Sequence, residues 1–345
     1  MNPPVGALGA PPGHVPLLAT TRGYPGSEAV ECVHYGSIAV VDRDGALLAG
    51  AGDPQSIQFS RSTLKPVQAL PFVEDGGLAR FGFGSHELAM LCASHSGETV
   101  HLRIVGGILE RIGASAGDLR CGSHPPRYYD VVGAPRPAGL AASPLFHNCS
   151  GKHSGFLAYC RLHGHALDGY LDPDGPLQVR IRNTLRALAG DDLLVGGIDG
   201  CNAPNHALPL RRLAQIYGRI ASSDDAALRA LFYAMTRHPD LVSGTGRTDL
   251  ALMQAGAGDW VSKIGADGMQ AIGVRSQGLG IAVRIAGGSS RATHIAAVET
   301  LHQIGLLDDP PASALAAAFR PPERNALGRR TGSWQPLFRL PRLTH

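Results

Sequence analysis

The stretch that decides the fold is FSRSTLKPVQALP, residues 59–71. Its apolar residues recur with a helical period and Pro66 fits only the first turn of a helix, so a helix is predicted to start here, with Pro71 ending or bending it. On that helix Ser62 and Lys65 would lie on one face. A serine needs a base before it can act as a nucleophile, and a lysine whose pKa is lowered by burial or by positive neighbours can be that base. An N-cap serine followed by a solvated lysine is the simpler interpretation of the pair.

The chain changes pattern on either side of this stretch. From residue 17 it alternates as strands do, and an Asp-Gly turn between apolar runs at 36–41 and 46–50 is typical of a hairpin. In the middle of the chain, helices are predicted over residues 86–93, 98–112, 152–162, 176–189, 208–220, 225–236 and 248–255. Three strands and a last helix are then predicted over residues 260–264, 269–274, 280–286 and 291–306.

This order of elements predicts an α+β fold. Strands from both chain ends would form one antiparallel sheet, with the helical middle inserted between them. We expect a single domain over residues 1–345, with a sheet lobe of about 17–60 and 258–335 and a helical lobe of about 61–257. A cleft between two lobes is a natural place for small-molecule chemistry.

The composition excludes several classes of protein. Of the 345 residues, 44% are hydrophobic and 17% charged, which is typical of a compact enzyme. The net charge is +3, the arginines are scattered and aromatic residues make up 6%, so no nucleic-acid partner is predicted. The chain contains neither an apolar run long enough for a membrane span nor the pattern of a secretory signal, so we expect a cytoplasmic protein without a membrane partner. Its six cysteines do not resemble a disulfide framework.

Two further residues extend the serine–lysine pattern. Ser94 lies in CASHSGE, residues 92–98, on a connector between predicted helices, and Lys263 lies on a predicted apolar strand. In chain order, the three motifs resemble the S-x-x-K, S-x-N and K-T-G set of serine β-lactamases and penicillin-binding proteins. The match is loose, because the second motif lacks the asparagine and the third lacks the hydroxyl residue. Taken alone, a connector serine and a solvent-facing lysine would explain both residues.

Two polar stretches around cysteines are candidates for metal chemistry. They read FHNCSGKHSG at 146–155 and GGIDGCNAPNH at 196–206, and neither is a C-x-x-C zinc knuckle. By the usual preferences, zinc would be bound by two thiols and one imidazole, namely Cys149, Cys201 and either His153 or His206. Two alternatives stay open. The thiols are simply buried near polar loops, or Cys149 is a nucleophile activated by His147 or His153.

Four stretches together resemble the L-asparaginase II family of rhizobial type (class 3). They are RSTLKPVQALP, ASHSGE, HNCSGKH and DGCNAPN, at residues 61–71, 93–98, 147–153 and 199–205. The resemblance runs from about residue 17 to about residue 335. It implies an amidohydrolase that converts L-asparagine and water to L-aspartate and ammonia, with a serine-β-lactamase-like fold and a homodimeric assembly.

The same resemblance implies roles for individual residues. The catalytic residues would form two Ser–Lys pairs, Ser62 with Lys65 and Ser94 with Lys263. One zinc ion per chain would be bound by Cys149, Lys152 and Cys201, and the residues near the substrate would be Arg61, His153 and Asp199. Asp199 would hold the α-ammonium group, while Arg61 would bind the carboxylate or lower the pKa of Lys65. Only a neutral amine binds zinc, and the charge of the metal can supply the roughly 4–5 kcal/mol that this deprotonation costs.

These roles predict acyl transfer. Ser62 would attack the side-chain amide and neutral Lys65 would take its proton. Ser94 with Lys263 would pass a proton to the leaving ammonia, and zinc would orient the substrate rather than activate the water. Two other functions stay open: a β-lactam- or peptide-directed serine hydrolase, which does not need the cysteine stretches, and a non-catalytic zinc or amino-acid sensor.

Overall fold

Strands from both ends of the chain form one antiparallel sheet in the computed structural model, which describes residues 13–24, 26–190, 195–309, 311 and 314–343. The strands of these residues are β1 (Val15–Arg22), β2 (Ala29–Asp42), β3 (Leu47–Ala51), β4 (Ile57–Phe59), β5 (Val195–Ile198), β6 (Pro204–Pro209), β7 (Trp260–Gly265), β8 (Met269–Val274), β9 (Leu279–Ile285), β10 (Pro322–Arg324) and β11 (Arg330–Pro336). Eight of them form the main sheet in the order β10–β11–β1–β2–β9–β8–β7, with β3 paired to β2. A second sheet has the order β4–β6–β5.

In chain order, the helices lie mainly between the two groups of strands that form the main sheet. Those of the described residues are α1 (Lys65–Glu74), α2 (Gly77–Phe81), α3 (Ser85–Leu91), α4 (Thr99–Arg111), α5 (Tyr128–Val132), α6 (Ser150–Leu162), α7 (Pro176–Ala189), α8 (Leu210–Ser222), α9 (Ala226–Arg237), α10 (Pro239–Val242), α11 (Thr248–Ala255) and α12 (Ser290–Gln303). No helix in this part of the chain is long and apolar enough to cross a membrane.

The predicted hairpin forms between β2 and β3, where Val40 pairs with Ala49. The Asp42 carboxylate closes the turn by accepting hydrogen bonds from the N–H groups of Asp44 and Ala46, both at 2.9 Å. Gly45 has a φ of 91°, a conformation that a side chain would disfavour. The Asp-Gly pattern therefore predicts this turn correctly, because the aspartate closes it and the glycine adopts its positive φ.

The helix α8 packs against the sheet at close range because the strands carry glycine there. A Cβ atom on Gly280 of β9 would lie 1.9 Å from the carbonyl oxygen of Ala214, and one on Gly273 of β8 would lie 2.2 Å from that of Tyr217. The side chains that point to this face join the apolar cluster of the helical region, while the opposite face packs with α12 in a second cluster. The sheet thus separates two cores and fixes the position of β7 at its edge.

The predicted fold class is confirmed. Main-sheet strands come from residues 15–51 and 260–336, and α1 to α11 lie between them in the chain. The predicted helix over 176–189 and strand over 269–274 have the bounds that were expected. The division into two lobes stays a prediction.

Two local features differ from the expectation. Of the two expectations for Pro71, an end of the helix or a bend, the end is wrong. The helix α1 continues to Glu74, because burial of Leu70 and Phe72 on either side offsets the backbone hydrogen bond that the proline cannot make. The second sheet was not predicted. The strand β5 contains two adjacent glycines, and β6 begins and ends with proline. Both residue types are unusual in strands, so neither segment shows the alternation that predicts one.

Candidate active site

Ser62 follows a strained residue. Arg61 has a φ of 50°, in the left-handed region that residues other than glycine seldom adopt. Asn205 of β6 holds this residue on both sides, since its side-chain oxygen accepts from the Arg61 N–H and its amide donates to the Arg61 carbonyl, both at 3.1 Å. Strain that the surroundings enforce is a usual feature of functional sites. Ser62 then lies in a 3₁₀ turn, Arg61–Leu64, that leads into α1.

Lys65 is buried at the start of α1 and its amine is surrounded by oxygen atoms. It donates to the carbonyl of Ala93 at 2.5 Å, to the hydroxyl of Ser94 at 2.8 Å and to the carbonyl of Asn148 at 3.3 Å. Burial lowers the pKa of Lys65, and the charge of Lys152 lowers it further. The direct serine partner of Lys65 among the described residues is therefore Ser94, although Ser62 is closer in sequence.

Lys263 points into the protein from β7. Its side chain is 0% exposed, and its amine donates to the carbonyl of Ile264 at 2.8 Å and to the carboxylate of Asp249 at 3.3 Å. Burial lowers its pKa to about 8, against the opposing effect of the Asp249 charge. The solvent-facing interpretation of this lysine is wrong. Its predicted pairing with Ser94 is not a direct hydrogen bond within the described residues.

Asp249 of α11 organises this corner of the site. Its carboxylate also accepts from the hydroxyl of Ser262 and the N–H of Ile264, both at 2.9 Å, and from the amide of Gln270 at 3.0 Å. Four donors thus meet one fully buried carboxylate. Sequence reasoning missed Asp249, because an aspartate in the first turn of a helix is an ordinary helix-start residue.

The predicted metal ligands lie together at the start of α6 and after β5. Lys152 donates to the sulfur of Cys201 at 3.0 Å, and all three predicted ligands are buried. A hydrogen bond from Cys201, helped by the charges of Lys65 and Lys152, holds the pKa of the Cys149 thiol well below its ordinary value. Burial lowers the pKa of Lys152, but the charges of Cys201 and Cys149 outweigh this and raise it above its ordinary value. Two soft thiols fit zinc, and Lys152 would join them as a ligand by losing a proton to the charge of the metal. Within the described residues, no group of three or more His, Cys, Asp and Glu side chains is arranged to hold a metal ion, and this set has two.

His153 is buried beside this cluster. Its Nδ1 lies 2.7 Å from the hydroxyl of Tyr170, which accepts from the N–H of Arg120 at 2.7 Å. The hydroxyl proton of Tyr170 is therefore available to Nδ1, which favours the tautomer that carries the ring proton on Nε2. The Nε2 atom makes no hydrogen bond of good geometry among the described residues. Burial lowers the pKa of His153 to about 4, although the nearby Cys201 thiol opposes this.

Asp199 and Arg61 form an ion pair at the mouth of the site. The Arg61 Nε donates to Asp199 at 2.8 Å, and the same guanidinium also pairs with Asp267. Although burial opposes ionisation, the charges of Lys152 and Arg61 keep the pKa of Asp199 below its ordinary value. Asp199 is therefore an anion, whereas the charge of Arg61 is already matched by two carboxylates.

These groups surround one small pocket of about 210 Å³. Six of the predicted site residues line it: Arg61, Ser62, Ser94, Cys149, Asp199 and Cys201. The three lysines each bond to a lining residue, namely Ser94 for Lys65, Cys201 for Lys152 and Ile264 for Lys263. Two further lining residues, Arg127 and Arg247, were not predicted, because isolated arginines in a loop and before a short helix carry no sequence signal.

A pocket with two serines, and with two buried lysines, Lys65 and Lys263, whose pKa is lowered, is typical of hydrolases that form a covalent acyl intermediate. The family model of L-asparaginase II matches residues 21–336, so the chain belongs to the L-asparaginase II family. The predicted enzyme class is thereby confirmed: the chain is a hydrolase that acts on the amide of L-asparagine.

Solved structures with a similar chain path are distant. Mglu in its native form is 14% identical, with 81% of this chain and 67% of that chain covered and a TM-score of 0.36. Mglu in its glutamate form is 14% identical, with 79% and 61% covered and a TM-score of 0.35. A beta-lactamase from Mycobacterium bovis is 13% identical, with 77% and 94% covered and a TM-score of 0.32. Likenesses of this size support no statement about the site. No curated protein matches the chain.

Proposed function

We propose that the chain hydrolyses L-asparagine through an acyl-enzyme on Ser62. The observation that supports this most is the placement of Ser62. It follows the strained Arg61, faces the pocket, and lies at the start of the helix that carries the buried Lys65. Burial lowers the pKa of Lys65, which makes its neutral, proton-accepting form more accessible than that of an exposed lysine.

The first half of the reaction forms an ester. The Ser62 oxygen attacks the side-chain amide carbon, and Lys65 takes the serine proton. Ser94, hydrogen-bonded to Lys65 at 2.8 Å, passes that proton to the nitrogen as the C–N bond breaks, so ammonia leaves.

In the second half of the reaction, water attacks the aspartyl ester, the Ser62 oxygen recovers a proton, and L-aspartate is released. In this proposal the positive charge of Lys263, which Asp249 holds in place, favours proton transfer by Ser94.

The test of the function is the release of ammonia and L-aspartate from L-asparagine by the purified protein. Equal amounts of the two products are expected, because each turnover cleaves one C–N bond. L-Glutamine and a penicillin serve as comparison substrates. Stable acylation of Ser62 by the penicillin, with no ammonia from L-asparagine, would instead favour a β-lactam-directed hydrolase. Amide binding without turnover would favour a sensor.

We propose in addition that Cys149, Lys152 and Cys201 bind one zinc ion. When bound, the metal would supply a positive centre that orients the substrate. We further propose a homodimeric enzyme, which rests on the family alone, and a cytoplasmic location.

The zinc proposal is tested by metal content. Protein purified without chelator is expected to hold about one zinc per chain by inductively coupled plasma mass spectrometry. Cys201→Ser is expected to lose most of it, because a hydroxyl is a much poorer zinc ligand than a thiolate. Cys32→Ser, which changes an exposed cysteine, is the matched control and should keep the wild-type content. Equal zinc in both variants would contradict the assignment.

A further inference from the structure

Two arginines in the pocket make no ion pair within the described residues. Arg127 is exposed and Arg247 is half-buried, and both line the pocket that contains Ser62 and Ser94. Within the described residues, neither guanidinium makes a hydrogen bond, an ion pair or an aromatic contact. An arginine without a hydrogen-bonded partner in a partly buried pocket is unfavourable, because its charge is desolvated and no direct ion pair offsets that cost.

The arginines also affect each other. Burial lowers the pKa of Arg247, and the charge of Arg127 lowers it further, while the nearby Asp249 opposes this. Asp249 cannot serve as a counter-ion for Arg247, since its oxygens already accept from four donors, Lys263 among them. This part of the pocket therefore has an unmatched positive charge.

On the side of the pocket that Arg61 lines, the positive charge is matched. There, the guanidinium of Arg61 is paired with both Asp199 and Asp267. A carboxylate that approached Arg61 would meet these two anions, whereas one that approached Arg247 would meet a cation without a competitor. Charge complementarity places the anionic end of a ligand at the second position.

We propose that Arg247, assisted by Arg127, binds the α-carboxylate of the substrate and makes the enzyme specific for amides of free α-amino acids. The planar guanidinium suits a carboxylate because it offers parallel N–H donors. The pocket of about 210 Å³ matches a small amino acid rather than a peptide. This inference rests on the proposed function and replaces Arg61 as the carboxylate ligand, leaving Arg61 to hold Asp199 for the α-ammonium group.

The test measures binding rather than turnover. Isothermal titration calorimetry is carried out with L-aspartate, the expected product, and with β-alanine, which is the same molecule without the α-carboxylate. Arg247→Gln is expected to weaken L-aspartate binding roughly 10- to 100-fold, the range for a lost charged hydrogen bond. The same change should alter β-alanine binding less than about twofold, because the group that Arg247 binds is missing. Arg103→Gln, on the exposed face of α4, is the matched control and should bind both as the wild type does.

The outcomes separate this inference from the proposed function. If the wild type releases ammonia from L-asparagine but Arg247→Gln binds L-aspartate normally, the function stands and the carboxylate site is wrong. If L-asparagine is not hydrolysed while L-aspartate binds in an Arg247-dependent way, the site stands and the function is wrong. Equal losses for L-aspartate and β-alanine, or no L-aspartate binding by the wild type, would also overturn the site. Circular dichroism checks that each variant is folded.

Discussion

Replacing Ser62 by alanine is expected to abolish the release of ammonia from L-asparagine, lowering kcat by at least ~10³-fold. The substitution removes one oxygen atom, and with it the nucleophile. The Ser62 hydroxyl makes no hydrogen bond within the described part of the chain, so its loss should leave the fold intact. The thermal midpoint should therefore change by no more than about 2 °C. Coupled ammonia and aspartate assays beside a thermal melt measure both quantities.

Ser94→Ala is the matched control for this experiment. It removes the same atom from the other serine of the pocket, and this atom is the one that Lys65 contacts at 2.8 Å. Loss of a proton-transfer group should lower kcat roughly 10²-fold and leave measurable turnover. If Ser62→Ala kept more than a few per cent of activity while Ser94→Ala kept none, Ser94 would be the nucleophile and the roles would have to be exchanged.

Local spacing in the sequence predicts some of the site's geometry and misses the rest. Ser62 and Lys65 belong to one motif, and both are at the site as expected. Their contacts depend on distant residues, however. Lys65 reaches Ser94, 29 residues away, and the backbone before Ser62 is held by Asn205, which is 144 residues from Arg61. Such contacts follow from tertiary packing, which no periodicity in a single sequence encodes.

The fold was easier to predict than the site because its elements have strong local patterns. The hairpin turn at Asp42 and the helix at 176–189 follow from turn residues and helical period. The sheet β4–β6–β5 was missed because its short strands are rich in glycine and proline. Asp249 and Arg247 were missed for a different reason. Their roles depend on their surroundings in the folded protein: Asp249 accepts from four donors, and Arg247 lines the pocket without an ion pair in the described residues.

Replacing Asp249 by asparagine is expected to destabilise the protein by about 3–5 kcal/mol, the cost of removing one partner from a buried ion pair. Wherever Lys263 is protonated, its charge would lie in a place where the side chain is 0% exposed and no other described carboxylate pairs with it. Asparagine also offers one acceptor oxygen to four donors, so some of them would be left without a partner. Urea denaturation at pH 7 measures the loss.

The same variant has a predicted dependence on pH. Burial lowers the pKa of Lys263 to about 8, and Asp249 is the group that resists this lowering. In Asp249→Asn the pKa of Lys263 should therefore fall further, and the lysine should be neutral at a lower pH. A neutral amine does not need a counter-ion, so the destabilisation should be largest below pH 8 and smaller at higher pH, where Lys263 is neutral in both proteins. A deficit that is the same across this range would show that the ion pair is not its cause.

The double variant Asp249→Asn with Lys263→Met separates structure from chemistry. Replacing both partners removes the unpaired charge, so most of the lost stability should return. Activity should not return, because Lys263 is proposed to support proton transfer by Ser94. Recovery of both would mean that the buried pair serves the fold alone. Recovery of stability without activity would place Lys263 in the reaction, with Asp249 as the residue that positions it.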